Sequence, residues 1–113
     1  MEVGNYQEAA SQLEKVLTIY PNDHLTHSDL GKVYAALGRY KEAKQQLQKA
    51  IQLQPDNPLY YENLGFILVN LGENQEAIKH LEFYLKYQPQ AEDHNYVQGL
   101  IKQLMAKEKE LSR

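Results

Sequence analysis

The chain has 113 residues, 42% of them hydrophobic, and a formal net charge of -3 at pH 7, so it suits one domain and lacks the basic excess of a nucleic-acid or anionic-membrane surface. It has no cysteine, which excludes disulfides, thiolate metal sites and cysteine nucleophiles but leaves the cellular compartment open. No apolar run approaches the roughly 18 residues that cross a bilayer, and the first ten residues lack the basic start and apolar core of a signal peptide, so we expect a soluble protein.

The first predicted helix runs from Tyr6 to Tyr20. Its apolar residues fall at helical spacing on one side, and they are Ala9, Leu13, Val16 and Leu17. Pro21 ends this helix, because a proline disfavours helical geometry in the residue before it. Gly4, which precedes the helix, is predicted to lie in a turn.

Four helices of similar length follow. They are predicted to span His24 to Leu37, Tyr40 to Leu53, Pro58 to Leu71 and Asn74 to Tyr87. Gly38 and Gly72 supply the left-handed residue that commonly follows a helix end. Pro58 suits a first helical turn, where its missing amide hydrogen would have been unsatisfied in any case.

The last segment, from Ala91 onward, is predicted to be a capping helix with one apolar face. Its apolar stripe is formed by Tyr96, Val97, Leu100, Ile101, Leu104 and Met105. One face would cover the preceding helices and the other would meet water. The residues beyond Ala106 are too charged for burial, so we expect them to fray.

Two neighbouring residues depart from the pattern of the earlier helices. Phe83 stands at a position that holds lysine in both equivalent helices upstream, so it is expected either to pack under the final helix or to form a second contact patch. Tyr84 replaces a small alanine, Ala50, and Gly99 in the final helix is a plausible place for its ring.

The chain repeats itself with a period of about 34 residues. One set of positions is Leu25, Leu30, Gly31, Leu37, Gly38, Glu42, Ala43, Leu47, Gln54 and Pro55. Its counterpart is Leu59, Leu64, Gly65, Leu71, Gly72, Glu76, Ala77, Leu81, Gln88 and Pro89. The same register extends backwards to Gly4, Glu8, Ala9, Leu13 and Pro21, which indicates an array of repeats.

This period, the Leu-Gly pair in each first helix, the small alanine opening each second helix and the closing proline resemble the tetratricopeptide repeat (TPR). The resemblance implies an all-α fold, a right-handed superhelix of antiparallel helix pairs whose first helices line the inner surface. It also implies a single TPR domain over residues 1–113. In this division residues 1–23 hold the second helix of an incomplete repeat, 24–57 and 58–91 are full repeats, and 92–113 form the capping helix and charged tail.

The resemblance implies a partner-binding groove on the inner surface. The positions carried over from the family are Leu25, Ser28, Asp29, Lys32, Ala36, Leu59, Glu62, Asn63, Phe66 and Asn70. Asn63 and Asn70 are the most suggestive, because a side-chain amide offers a donor and an acceptor to an extended peptide backbone. The alternative is that these are ordinary solvated helix residues.

One variant of the family is not expected. TPR domains that clamp the C-terminal carboxylate of chaperones use Lys, Arg and Asn on successive first helices. The matching positions here hold Leu25, Ser28, Leu59 and Glu62, and only Asn63 fits.

Catalytic and metal sites are not expected either. His27, Ser28 and Asp29 have the residue types of a hydrolase triad, but consecutive helical residues point about 100° apart and cannot form the required hydrogen-bonded chain. His24 and His27 could share a helix face as metal ligands do, yet packing and surface exposure explain them better. We therefore predict no enzyme, no metal site and no cofactor.

Two classes of function stay open. The first is a non-catalytic scaffold that binds a protein or peptide in the groove. The second is self-assembly. The helix from Tyr6 to Tyr20 has no first helix of its own in this chain, so its face of Ala9, Leu13 and Val16 is open to a second copy. The two copies could pair through this face as a homodimer, or one copy could accept the final helix of the other. The chain could equally be a fragment of a larger TPR protein whose activity lies elsewhere. The partner stays open, and the cytoplasm is the expected compartment.

Overall fold

The computed structural model describes residues 3–112, which form six helices and no strand. The helices are α1 (Val3–Ile19), α2 (His24–Ala36), α3 (Tyr40–Leu53), α4 (Pro58–Asn70), α5 (Asn74–Tyr87) and α6 (His94–Leu111). Each helix packs against the next along the chain, and the array measures 47 × 27 × 24 Å. The all-α prediction is confirmed. Every helix within the described range is too short or too polar to span a bilayer.

The two first helices, α2 and α4, begin and end by the same devices. The Asp23 side chain accepts hydrogen bonds from the backbone N–H groups of Leu25 and Thr26, and the Asn57 side chain accepts one from Leu59. Such caps satisfy amides that have no partner within the helix. Beyond the other end, Gly38 and Gly72 have φ of 78° and 77°, a conformation that favours glycine. Gly4 is a correction, since α1 runs through it and it forms no turn.

The glycines inside α2 and α4 allow each helix to approach the one that follows. A Cβ atom on Gly31 would collide with the side chain of Leu47, and one on Gly65 would lie 2.6 Å from Cδ2 of Leu81. Leu47 and Leu81 are completely buried. The packing therefore joins α2 to α3 and α4 to α5 in the same way, as the repeat register predicts.

A side chain in α2 and its counterpart in α4 each form a hydrogen bond with the backbone of the preceding turn, but the two side chains are of different types. His27 Nε2 lies 2.7 Å from the carbonyl oxygen of Pro21, and the Tyr61 hydroxyl donates to that of Pro55 at 2.7 Å. The two pairs occupy equivalent positions of successive repeats. An imidazole in one repeat thus holds the turn that a phenol holds in the next. His24 is also engaged, since its Nδ1 is 2.6 Å from the hydroxyl of Tyr60.

The last helix packs on α5 but leaves the repeat register. Its buried residues are Val97, Ile101 and Leu104. Gln98 is exposed, although its counterpart in the preceding repeat, Leu64, is buried. A Cβ atom on Gly99 would meet nothing within 4 Å, so Gly99 does not receive the ring of Tyr84. The helix also continues to Leu111, through the segment expected to fray, with most of its charged side chains in solvent.

Phe83 does not pack under the final helix. Its ring lies 3.9 Å, centroid to centroid, from that of Tyr61 and 4.6 Å from that of Tyr87. These three rings form a partly exposed aromatic row on α4 and α5. Ring pairs at these separations add stabilisation beyond the burial of their area.

Candidate functional site

Four of the ten carried-over groove positions line a depression between α2 and α4. Its volume is about 160 Å³, and it is lined by Lys32, Ala35, Tyr40, Asn63, Phe66, Ile67 and Asn70. Four of these residues, Lys32, Asn63, Phe66 and Asn70, belong to the set predicted from the sequence. They bring together one cation, two amides and one aromatic ring.

The polar groups of this depression are only partly engaged. The Asn70 side chain donates from Nδ2 to the backbone carbonyl of Phe66 at 2.9 Å, and Asn70 is exposed to solvent. Lys32 lies 3.8 Å from a carboxylate oxygen of Asp29, and both side chains are more than half exposed. An exposed pair of this kind contributes less than about 1 kcal/mol, so Lys32 is free to meet another anion.

Four predicted positions are exposed but lie outside this depression, and they are Leu25, Asp29, Ala36 and Leu59. Leu25 and Leu59 are 59% and 52% exposed, and each follows the capping residue of its helix by two positions. Ala36 is exposed at the last residue of α2. The two leucines occupy equivalent positions of the repeat, so α2 and α4 each have an exposed leucine in the first turn.

Ser28 is a correction to the predicted set. It is 4% exposed, so it offers no surface to a partner. Its counterpart in the next repeat is Glu62, whose longer side chain is half-buried. A hydroxymethyl group is too short to reach the surface from this position.

Three residues line the depression although they were not assigned to the groove from the sequence, and they are Ala35, Tyr40 and Ile67. Tyr40 opens α3 and lines the depression. Tyr96 on α6 is 67% exposed, and its ring centroid lies 6.4 Å from that of Phe66, although the sequence placed Tyr96 in the stripe that covers the preceding helices. Tyr40 and Tyr96 lie outside α2 and α4, the two helices to which the family's groove positions were carried over.

Glu62 has the most perturbed carboxyl group of the predicted set. Burial, followed by a hydrogen bond and the charge of Asp93, raises the pKa of Glu62 to about 7. The pKa of Asp93 is lowered, chiefly by its hydrogen bond with Glu62. Glu62 therefore interacts with Asp93, the residue before α6, and it does not line the depression.

The face of α1 formed by Ala9, Leu13 and Val16 is half-exposed. The counterparts of these residues in α3 and α5 are fully or almost fully buried, and they are Ala43, Leu47, Ala50, Ala77, Leu81 and Tyr84. In α3 and α5 that surface is covered by a first helix. The residue of α1 that is most buried is Ala10, which the sequence analysis did not single out, and Leu13 and Leu17 also contact the core.

The other side of α1 is fixed to α2. The Tyr34 hydroxyl donates to a carboxylate oxygen of Glu14 at 2.7 Å. Burial, and then Glu14, raises the pKa of Tyr34 to about 12. The guanidinium of Arg39 lies 4.4 Å from the centre of the same ring, which adds a cation–π contact.

Two family models match the chain. The model described as "TPR repeat" matches residues 31–72, and the one described as "Tetratricopeptide repeat" matches residues 59–90. Together they span residues 31–90, which is more than half of the chain. The chain belongs to the tetratricopeptide repeat family. No curated protein sequence matches it.

Solved structures agree with this assignment. A crystal structure of MamA is 29% identical, with a TM-score of 0.83, and the match covers 91% of this chain and 60% of that one. The first TPR domain of Spaghetti (RPAP3), solved with an HSP90 peptide, is 22% identical, with a TM-score of 0.84 and coverage of 91% and 82%. The type III secretion translocator chaperone SycD from Yersinia enterocolitica is 17% identical, with a TM-score of 0.84 and coverage of 94% and 76%. The last two likenesses concern the fold alone.

Proposed function

We propose that this protein is a non-catalytic protein-interaction scaffold that binds an extended peptide in the groove of α2, α4 and α6. The observation that carries the proposal is the depression shared by Lys32, Asn63, Phe66 and Asn70. Amides can hold a peptide backbone whatever its sequence, and Phe66 offers an apolar contact beside them. In this proposal residues 24–57 and 58–91 act as the two complete repeats.

The structure with an HSP90 peptide gives an example of a similar fold that binds a peptide. The groove of this chain has a different chemistry. Its equivalents of the carboxylate-clamp positions are Leu25, Ser28, Leu59 and Glu62, with Asn63 as the exception. We therefore propose recognition of backbone and apolar side chains rather than of a C-terminal carboxylate.

The test is a double substitution, Asn63→Ala with Phe66→Ala. Peptides selected from a random display library on the wild-type protein would be measured by fluorescence anisotropy. The double variant should bind at least about tenfold more weakly, because central aromatic and amide contacts carry most of an interface's energy.

A matched control removes the same two kinds of side chain from the outer surface. Gln48 and Tyr87 are both exposed on the second helices, so Gln48→Ala with Tyr87→Ala should leave affinity unchanged. Equal affinity in the groove variant and the wild type, with both folded by circular dichroism, would contradict the proposal.

The half-exposed face of α1 supports a second candidate function, which is self-association. Its support is the contrast between Ala9, Leu13 and Val16 and their buried counterparts in α3 and α5. Covering this face would gain roughly 25 cal/mol for each Å² of apolar surface removed from water. We propose a homodimer in which two α1 helices pack about a two-fold axis, an arrangement in which each copy covers the other.

Light scattering over a concentration series tests self-association. Leu13 contacts the core, so Val16→Glu is a cleaner variant than Leu13→Glu. Val16→Glu should convert a dimer to a monomer without lowering helicity. Ser11→Glu, on the exposed opposite side of α1, should leave the dimer intact. A wild-type protein that is monomeric at every concentration would refute this candidate.

A further inference from the structure

The carboxyl groups of Glu62, on α4, and of Asp93, which caps α6, form a hydrogen-bonded pair. Glu62 is half-buried on α4, and Asp93 directly precedes the first residue of α6. The Tyr84 hydroxyl, from α5, donates to Oδ1 of Asp93 at 2.6 Å. Oε2 of Glu62 is shielded from solvent and receives no hydrogen bond. Two helices and the residue before a third therefore bring three oxygen-bearing side chains together.

When both carboxyl groups are ionised, this cluster has too few hydrogen-bond donors for its buried oxygen atoms. The phenol carries one proton, and it is used on Asp93. Two carboxylates have only acceptors, so the shielded oxygen of Glu62 then has no donor. A proton on Glu62 changes this, because its hydroxyl can donate to Asp93 and complete the cluster.

Within residues 3–112, no lysine or arginine forms an ion pair with Glu62 or Asp93. The lysine and arginine ion pairs there go to other carboxylates, those of Asp29, Glu42, Glu73 and Glu76. The groups that interact with Glu62 are Asp93 and Tyr84. His94, the first residue of α6, helps to lower the pKa of Asp93 through its charge. Nδ1 of His94 is buried without a hydrogen-bond partner.

We propose that a proton held by Glu62 fastens α6 to α4, and that α6 loosens from the array when this proton leaves. The fastening consists of the hydrogen bond from Glu62 to Asp93, beside the one from Tyr84. Loss of the proton replaces the first bond by repulsion between two carboxylates.

The sign of the pH dependence follows from the two protonation states. The pKa of Glu62 is raised to about 7 from an ordinary value of 4.5, first by burial and then by Asp93. Between those values the docked state binds more protons than the undocked state, so docking weakens as pH rises through this window. The lowered pKa of Asp93 acts only at more acidic pH, where it favours docking as pH rises.

The position of α6 also shapes the groove. Phe66 lies one helical turn after Glu62, and Tyr96 follows Asp93 within the first turn of α6. The ring centroids of Phe66 and Tyr96 are 6.4 Å apart. Loosening of α6 would remove Tyr96 from the end of the groove. Docking of α6 needs no bound peptide, so the two proposals are tested independently. The pH dependence of docking can be absent although the groove binds a peptide, and it can be present although the groove binds none.

The experiment measures amide hydrogen-exchange protection factors along α6 in the free protein at about pH 5.5 and about pH 8.5. Protection should fall by about tenfold or more at the higher pH, since each pH unit within the window changes the equilibrium by at most about tenfold. Glu62→Gln should abolish the difference, because its amide donates to Asp93 without ionising. Glu82→Gln, which removes an exposed carboxylate of α5, should behave as the wild type.

Two further measurements complete the test. Carbon-detected NMR of the wild-type Glu62 carboxyl should show it titrating near neutral pH, and this does not depend on any variant folding. His94→Gln should retain the pH dependence of protection. The proposal would be overturned by a Glu62 carboxyl that titrates at its ordinary value, or by equal wild-type protection at both pH values. It would also be overturned if the pH dependence of protection were lost in His94→Gln and kept in Glu62→Gln.

Discussion

Three glycines of the chain lie inside helices at the same position of the repeat register, yet their surroundings differ. Gly31 and Gly65 each face a buried leucine of the following helix, whereas Gly99 faces open space. Glycine in a helix interior lowers stability by roughly 0.5–1 kcal/mol relative to alanine. That loss is offset at Gly31 and Gly65 by the close approach of two helices. Nothing offsets it at Gly99.

Alanine substitution at these positions should therefore have opposite effects. Gly65→Ala puts a methyl group 2.6 Å from Leu81 and should destabilise the protein by roughly 1–3 kcal/mol, as overpacked cores do. Gly99→Ala should stabilise it by about 0.5–1 kcal/mol. Urea denaturation followed by circular dichroism measures both. Equal effects at the two positions would show that helix contact does not decide the role of these glycines.

At the scale of the helix, the sequence predicted most boundaries because the signals are local. Asp23 and Asn57 cap α2 and α4, and Gly38 and Gly72 follow them, as short-range chemistry requires. The predicted ends of α3 and α5 agree with the structure. Gly4 was wrongly predicted to lie in a turn, because glycine marks a turn only where the chain leaves a helix and α1 continues through Gly4.

The candidate site was less predictable than the helices. Lys32, Asn63, Phe66 and Asn70 line the depression, and they were predicted because the family's groove positions on the first helices were carried over to this chain. Tyr96 was assigned to the buried stripe of α6, since helical spacing cannot distinguish the two edges of a wide stripe. The pairing of Glu62 with Asp93 joins two helices that no longer share a register. Such contacts depend on how α6 is rotated, which the repeat does not specify.

At the scale of the whole molecule, stability is shared between neighbours. A repeat array gains its stability from the interfaces between successive units, and at least about three repeats are generally needed. In this chain α6 supplies Val97, Ile101 and Leu104 to the core and covers one end. The opposite end, on α1, is only half-covered. The array therefore depends strongly on α6.

Removal of residues 93–113 should for this reason destabilise all of the remaining helices together. Each of the three buried side chains of α6 contributes roughly 1.5–3 kcal/mol, against a total stability of about 5–15 kcal/mol for a typical domain. The melting temperature, measured by circular dichroism, should fall by more than about 10 °C. Removal of residues 107–113 alone serves as the control, because residues 107–112 are largely exposed and their loss should leave the melting temperature nearly unchanged. If the longer truncation also melts like the intact protein, α6 adds no stability to the array and the neighbour-dependent account of this fold is wrong.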